Sequence, residues 1–293
     1  MRLFLALLLL SALPAPADAP AAAPATVEDP FDPFVGVATP LADALRAYAR
    51  DAQRWAYTQR FVEYRRDGSV ERTWVARFDP SQHYDVQWTL LERDGKTEFS
   101  ESQQKSFRKR RLKRDQNQRS FGEVLDLRNA VLLAAPPPRR PVPGAKAAAA
   151  AADAVAATPA EPPPAAAPAD ELVYEVPLLP LPDSRFPPEK FQVLVRVARD
   201  GHRLRTVEAR LRDNFRVGLL LVNVKEGDAV LEFGDVRPDT GPALTAIAAG
   251  GAVSIAFVPV SRRYELARSD FKRVTPYDER FGVKLGPLKT IDF

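Results

Sequence analysis

Residues Arg54 to Gly95 read RWAYTQRFVEYRRDGSVERTWVARFDPSQHYDVQWTLLERDG, and the fold turns on this stretch. Three segments, 54–66, 69–79 and 84–93, alternate apolar and polar side chains with the period of two that marks half-buried strands. Asp67-Gly68 is a tight hairpin signal between the first two, and Asp94-Gly95 closes the third. Trp55, Tyr57 and Phe61 share one face of the first segment. Val70, Trp74, Ala76 and Phe78 share a face of the second, and Tyr84, Val86, Trp88 and Leu90 of the third. All three tryptophans of the chain thus fall on the apolar face of consecutive strands. The opposite faces carry Arg60, Tyr64, Glu71, Thr73, Arg77, Asp85, Gln87 and Thr89, which suits solvent. The pattern predicts an antiparallel meander with one wet side.

An amphipathic helix precedes the meander. Thr39 is a good N-cap, Pro40 suits the first helical position, and Leu41, Ala44, Leu45, Tyr48 and Ala52 make one apolar stripe. Ser100 to Asn117 predicts a second helix of different character. Seven cations fall within its ten residues 105–114, on every side, with only Phe107 and Leu112 as apolar contacts. Two readings stand for it: a solvated helix over the sheet rim, or a contact for anionic lipid or an acidic partner. Attachment of the second kind weakens steeply with salt.

Beyond it, Leu125 to Leu133 and Leu172 to Leu181 read as two strands, with a helix over 121–133 as the competing reading. Further strands are expected at about 190–199, 203–212, 214–223, 228–237, 242–248, 252–267 and 283–292. Asp200-Gly201 and Glu226-Gly227-Asp228 are read as turns between them, and Gly250-Gly251 as a turn or bulge. The alternation Val207-Glu208-Ala209-Arg210-Leu211-Arg212 fits a sheet with one exposed face. Ten to twelve antiparallel strands cannot stay flat, and such a sheet must curl or split. The expected class is therefore mainly β, within α+β. It is a large curled antiparallel sheet, a half-barrel, with the N-terminal helix and the short basic helix covering its concave face.

Composition sets the organisation. Arg2, the apolar run Leu3 to Leu13 and Ala17-Asp18-Ala19 have the three parts of a cleavable secretory signal over residues 1–19. Residues 20–38 read as a flexible Ala/Pro leader, and 39–293 as a single β-rich domain. That domain is interrupted at 135–170, where 26 of 36 residues are Ala or Pro and disorder is expected. No other stretch approaches the apolar length of a membrane span. The chain has no cysteine, which removes disulfides, thiolate metal sites, cysteine nucleophiles and a lipid-bearing cysteine. The expected product is a soluble periplasmic protein that is not a lipoprotein. Its net charge of +4 and pI near 9.3 favour anionic surfaces, lipid headgroups or acidic glycans, over nucleic acid.

Catalytic residue types are sparse. His83 and His202 both sit at turns, and no metalloprotease, nucleophile-elbow or phosphate-loop motif is present. Asp278 and Glu279 are ordinary solvated acids, so no enzyme and no cofactor is expected, with an envelope-polymer hydrolase as the remaining enzymatic option.

The order of export signal, capped helix, aromatic meander, short helix and many strands resembles the periplasmic lipoprotein-carrier (Lol) superfamily. The stretch Arg77-Phe78-Asp79-Pro80 through Trp88 to Gly95 is similar to that of uncharacterised exported relatives. The resemblance implies a half-barrel with helices lidding a hydrophobic mouth, and acyl chains as the ligand. The expected function is thus a carrier for a lipidic or other apolar ligand, lined by Trp55, Tyr57, Phe61, Trp74, Phe78, Trp88 and Leu90. Arg108, Arg110, Arg111 and Arg114 are the expected contacts for an anionic membrane surface or envelope partner, because guanidinium groups pair bidentately with phosphate or carboxylate. The alternative is an envelope interaction protein with a fully packed core.

Overall fold

The computed structural model describes residues 34–116, 119–139, 170–180, 187–217, 222–255 and 258–281. The expected signal, most of the leader, the central part of the Ala/Pro insertion and the strand expected at 283–292 lie outside them.

The described strands form one unclosed, curled, eleven-stranded antiparallel sheet, as the alternation predicts. They are β1 (Trp55–Tyr64), β2 (Val70–Phe78), β3 (Trp88–Arg93), β4 (Val131–Leu132), β5 (Glu171–Glu175), β6 (Phe191–Ala198), β7 (Leu204–Leu211), β8 (Phe215–Val217), β9 (Val222–Gly234), β10 (Ala243–Ile255) and β11 (Val258–Arg273). Their order is β3-β2-β1-β11-β10-β9-β7-β6-β5-β4, with β8 on β9. The N-terminal meander is therefore joined to the rest by β1 alongside β11, paired from Trp55 opposite Arg273 to Tyr64 opposite Arg263 with one irregularity between Ala56 and Thr58.

Helix α1 (Thr39–Asp51) begins one residue earlier than expected, with Ala38 as N-cap and Pro40 in the first turn. Its predicted stripe of Leu41, Ala44, Leu45 and Tyr48 is buried, in one core with Val193, Val195, Val197, Leu204, Leu231 and Phe233. Phe34, read from sequence as leader, is buried in the same core, with the Arg46 guanidinium 5.7 Å from its ring centre. The C-terminal end of α1 is fastened by Asp51, which is fully buried. Its carboxylate accepts the Gly241 N–H (2.8 Å) and an Arg273 Nη2 hydrogen bond (2.9 Å). One side chain thus holds helix, β9–β10 loop and the end of β11 together. The basic segment after β3 forms the second helix, α2 (Glu101–Gln116).

Several expectations are corrected. Tyr84–Val86 is a 3₁₀ turn rather than the start of β3, and Val86 is exposed. Val70 is exposed too, because an irregularity between Glu63 and Tyr64 shifts the β1–β2 register at the hairpin end. The 121–133 segment divides between its two readings. Phe121–Val124 is a short helix, α3, where Glu123 reaches back to accept the Ser120 N–H at 2.6 Å, and β4 follows as two residues. Neither Glu226-Gly227-Asp228 nor Gly250-Gly251 is a turn, and the nearest irregularity of this ladder falls between Ala252 and Val253 rather than at the glycines. Both glycine sites lie inside the long strands β9 and β10, where Gly227 pairs with Gly251. Glu208, expected on an exposed face, is buried together with Arg196. Arg196 Nε donates to Glu208 (2.7 Å) and its Nη2 to the Pro137 carbonyl (2.8 Å), so the two charges neutralise each other inside the fold.

A methyl at position 241 would lie 1.9 Å from the Ala47 carbonyl oxygen. Gly241→Ala should therefore cost about 3 kcal/mol through forced separation of α1 from the loop. Thermal unfolding followed by circular dichroism should show a melting temperature lower by roughly 6–12 °C. An unchanged value would mean that α1 is not seated this tightly.

Candidate functional site: an aromatic face under a basic helix

Strand register brings the aromatic residues of β1–β3 onto the concave side. Phe61 pairs with Trp74, Tyr57 with Phe78 and Phe78 with Trp88. Phe61 stacks on Trp74 with centroids 5.2 Å apart, and the Phe78 and Trp88 centroids are 4.8 Å apart. β11 contributes to the same face through a bulge. Two residues, Asp270 and Phe271, oppose the single Tyr57 of β1, and Asp270 takes a left-handed φ of 51°. The bulge puts Phe271 beside Trp55, 6.0 Å between centroids, and Arg77 holds it from the other side by donating to the Asp270 carbonyl at 2.9 Å. All seven expected lining residues meet here: Trp55, Tyr57, Trp74, Trp88 and Leu90 are buried, Phe61 and Phe78 half-buried.

Helix α2 covers this face. Its inward residues are Gln104, Phe107, Arg108, Arg111 and Asp115, spaced by three and four, so the stripe is helical in period but mostly polar in chemistry. Gln104 accepts the Leu90 N–H (3.0 Å) and donates to the Leu90 carbonyl (2.8 Å), while Arg108 Nε donates to the Trp88 carbonyl (3.0 Å). β3 is the free edge of the sheet, and these side chains stand where another strand would pair. Trp88 Nε1 donates to Asp115 at 2.8 Å, and Phe107 meets Trp74 edge-on at 5.7 Å.

Arg111 is the centre of the arrangement. Only 7 % of it is exposed, and its guanidinium lies 4.1 Å from the Trp88 ring centre and 5.0 Å from that of Trp74. Burial pushes its pKa down to about 10, which still leaves it charged at neutral pH. Burial also raises the Asp115 carboxyl, against the opposing pull of Arg111. A second cation, Arg268 of β11, lies 4.2 Å from the Tyr57 ring centre and donates through Nε to Gln59 Oε1 at 3.2 Å. Gln59 is fully buried, and Glu63, beyond Phe61 on the same face, is held by Arg262 and by Arg72 (3.6 Å).

The arginine set expected from sequence is divided. Arg111 is buried, Arg108 and Arg114 are half-buried, and Arg110 points outward. The helix is therefore not a wholly solvated one over the rim. Sequence reasoning missed Gln59, Glu63, Asp115, Tyr264 and Arg268. A signal exists for β1, where Gln59 and Glu63 interrupt the inward row Trp55, Tyr57, Phe61, and a polar residue at a core position marks either strain or function. Among the described residues no cluster of histidine and carboxylate side chains has the makings of a metal site. Comparison with protein-family profiles, with curated proteins and with solved structures finds no match.

Removing Asp115 would leave Trp88 Nε1 without its acceptor and Arg111 without its nearest counter-charge. Asp115→Ala should cost about 3 kcal/mol in denaturant unfolding. Arg111→Met, which keeps a long chain between the indoles, should be neutral or stabilising. In the double variant the Asp115→Ala cost should fall well below its single-variant value. Additive effects would show that the two groups do not interact.

Proposed function

We propose that this chain is a non-enzymatic, extracytoplasmic binding or carrier protein that holds a lipidic or other apolar ligand on the concave aromatic face, with α2 as its lid. The observation that carries this reading is the underside of α2. A helix that belongs permanently to a core covers it with an apolar stripe. This one covers Trp74, Trp88 and their neighbours with a glutamine, two arginines, an aspartate and one phenylalanine, and it leaves Arg111 Nε buried with no hydrogen-bond partner. The closed state therefore carries a desolvation cost that an open state would recover. An acyl chain laid on the rings would restore apolar burial, worth roughly 25 cal/mol per Å², while Arg111 left the indoles. Ligand and lid then compete for one surface, and the ligand selects the open population.

The apolar N-terminal run and alanine-rich cleavage site support export, and the resemblance to the lipoprotein carriers supports acyl chains as cargo. No helix among the described residues is long and apolar enough to cross a membrane. A second reading rests on a different observation. The outward side of α2 exposes Lys105, Lys109, Arg110 and Lys113, a cationic strip suited to an anionic envelope surface even when the face beneath stays closed.

Native mass spectrometry of protein purified from periplasm without detergent should reveal a stoichiometric lipid that solvent extraction removes. An apolar fluorescent probe should bind the extracted protein, and Trp74→Ala or Trp88→Ala should weaken it about tenfold, the scale of one lost aromatic contact area. A clean apo mass with no probe uptake would move the assignment to the surface-binding reading.

A further inference from the structure

Five buried side-chain atoms on or beside the aromatic face have no hydrogen-bond partner among the described residues: Trp55 Nε1, Gln59 Nε2, Arg111 Nε, Arg114 Nε and the Tyr264 hydroxyl. Buried polar atoms are normally satisfied, so a concentration of exceptions in one place calls for a reason. Every one of the five is able to donate a hydrogen bond, and four of them can only donate. Chance orphans would include amide and carboxylate oxygens.

The charges point the same way. Three guanidinium groups, Arg111, Arg114 and Arg268, stand around this face, and Arg111 feels both of the others as repulsive neighbours. Asp115 is the carboxylate set among them, and it is already engaged by Trp88. Glu63 is engaged by Arg262 and Arg72. Arg114 lies close enough to Tyr264 to act on its hydroxyl electrostatically, and Tyr264 stacks on Phe61, centroids 6.1 Å apart. The unpaired donors are therefore linked through adjoining rings to the cations, and the local balance is short of negative charge.

An acceptor-only anion answers both deficits. An ionised carboxylate or a doubly ionised phosphate monoester offers several lone pairs and no proton, whereas water would fill the hydrogen bonds and leave the charge uncompensated. We propose that the concave face contains a headgroup subsite, formed by Arg111, Arg268, Gln59, Arg114 and Tyr264, that takes the carboxylate or phosphate of a singly acylated amphiphile. The half-buried Phe61 and Leu266 on the same face then receive the first part of its chain. This inference rests on the apolar-ligand reading above and names the class of ligand within it. The buried arginine then has two seats. In the empty protein Arg111 lies on the indoles, and in the loaded one it turns to the anion.

The test uses the extracted full-length mature protein and two fluorescent probes, a dansyl-labelled undecanoate and its methyl ester, which share a chain and differ in charge. The acid should bind at least about tenfold tighter than the ester, the scale of one charge-assisted contact in a desolvated site. Arg111→Met and Arg268→Gln should each bring that ratio close to one while changing ester affinity less than about twofold, and Arg66→Gln, an exposed hairpin residue, should leave it intact. Because Arg111→Met retains packing, its melting temperature reports separately on folding. Equal binding of acid and ester by the parent protein would overturn the headgroup subsite and leave the apolar reading standing. Binding of neither probe would overturn both. Inorganic phosphate displacing the acid probe at submillimolar concentration would overturn the acylated ligand in favour of a free anion at the same cations.

Discussion

Everything at the concave face depends on β1 lying against β11. The meander of β1 to β3 is a local structure held by its own hairpins, and alone it would be a three-stranded ribbon with a bare aromatic side. Pairing of its first strand with β11, the last of the described strands, joins it to the remaining sheet, across about two hundred residues of sequence. The same seam supplies the polar part of the site, since Gln59 and Arg268 are register partners across it and Tyr264 lies opposite Glu63. A single ladder therefore unites two cores that are otherwise distinct. One, larger and of mixed aliphatic and aromatic make-up, lies under α1, and the other, built around tryptophans, lies under α2.

The two helices cover their cores by different physics. α1 follows the ordinary rule: an apolar stripe, a proline in its first turn and one buried carboxylate that ties its end to a loop and a strand. Its attachment scales with buried area and is difficult to reverse. α2 is attached by hydrogen bonds to a strand edge, by a guanidinium between two indoles and by a single phenylalanine. Such contacts have near equivalents in water, so their loss on opening is small beside that of an aliphatic interface. The contrast separates a framework end of the molecule from a working end.

Much of this is legible in the residues. Alternation over 54–93 specifies the meander and its aromatic side, and the stripe from Leu41 to Tyr48 specifies α1. The strand read over 69–79 is β2 with one residue trimmed from each end. Elsewhere pairing outweighs local signals. Gly227 reads as part of a turn and Gly250-Gly251 as a turn or bulge, yet all three lie within long strands, with Gly227 opposite Gly251. A strand start read from Tyr84 and Val86 is a turn, because alternation alone cannot tell how far a ladder extends. The buried role of Arg111 is not legible, since a run of seven cations in ten residues has no visible inward side until the sheet is placed beneath it. Its inward position is decided by Gln104 and Arg108, whose meeting with Leu90 and Trp88 joins residues fourteen and twenty apart.

The grip of Gln104 and Arg108 on β3 has a consequence for how the protein must be handled by the cell. With α2 seated, the last strand of the sheet has no vacancy for another chain. With α2 displaced, the Leu90 N–H and the Leu90 and Trp88 carbonyls become a template, next to the exposed Leu91. Opening is unimolecular, while templated self-assembly rises with concentration, so the two processes diverge as the open protein accumulates. A molecule built this way is safest when scarce or closed, and its abundance is then a property under selection as much as its affinity.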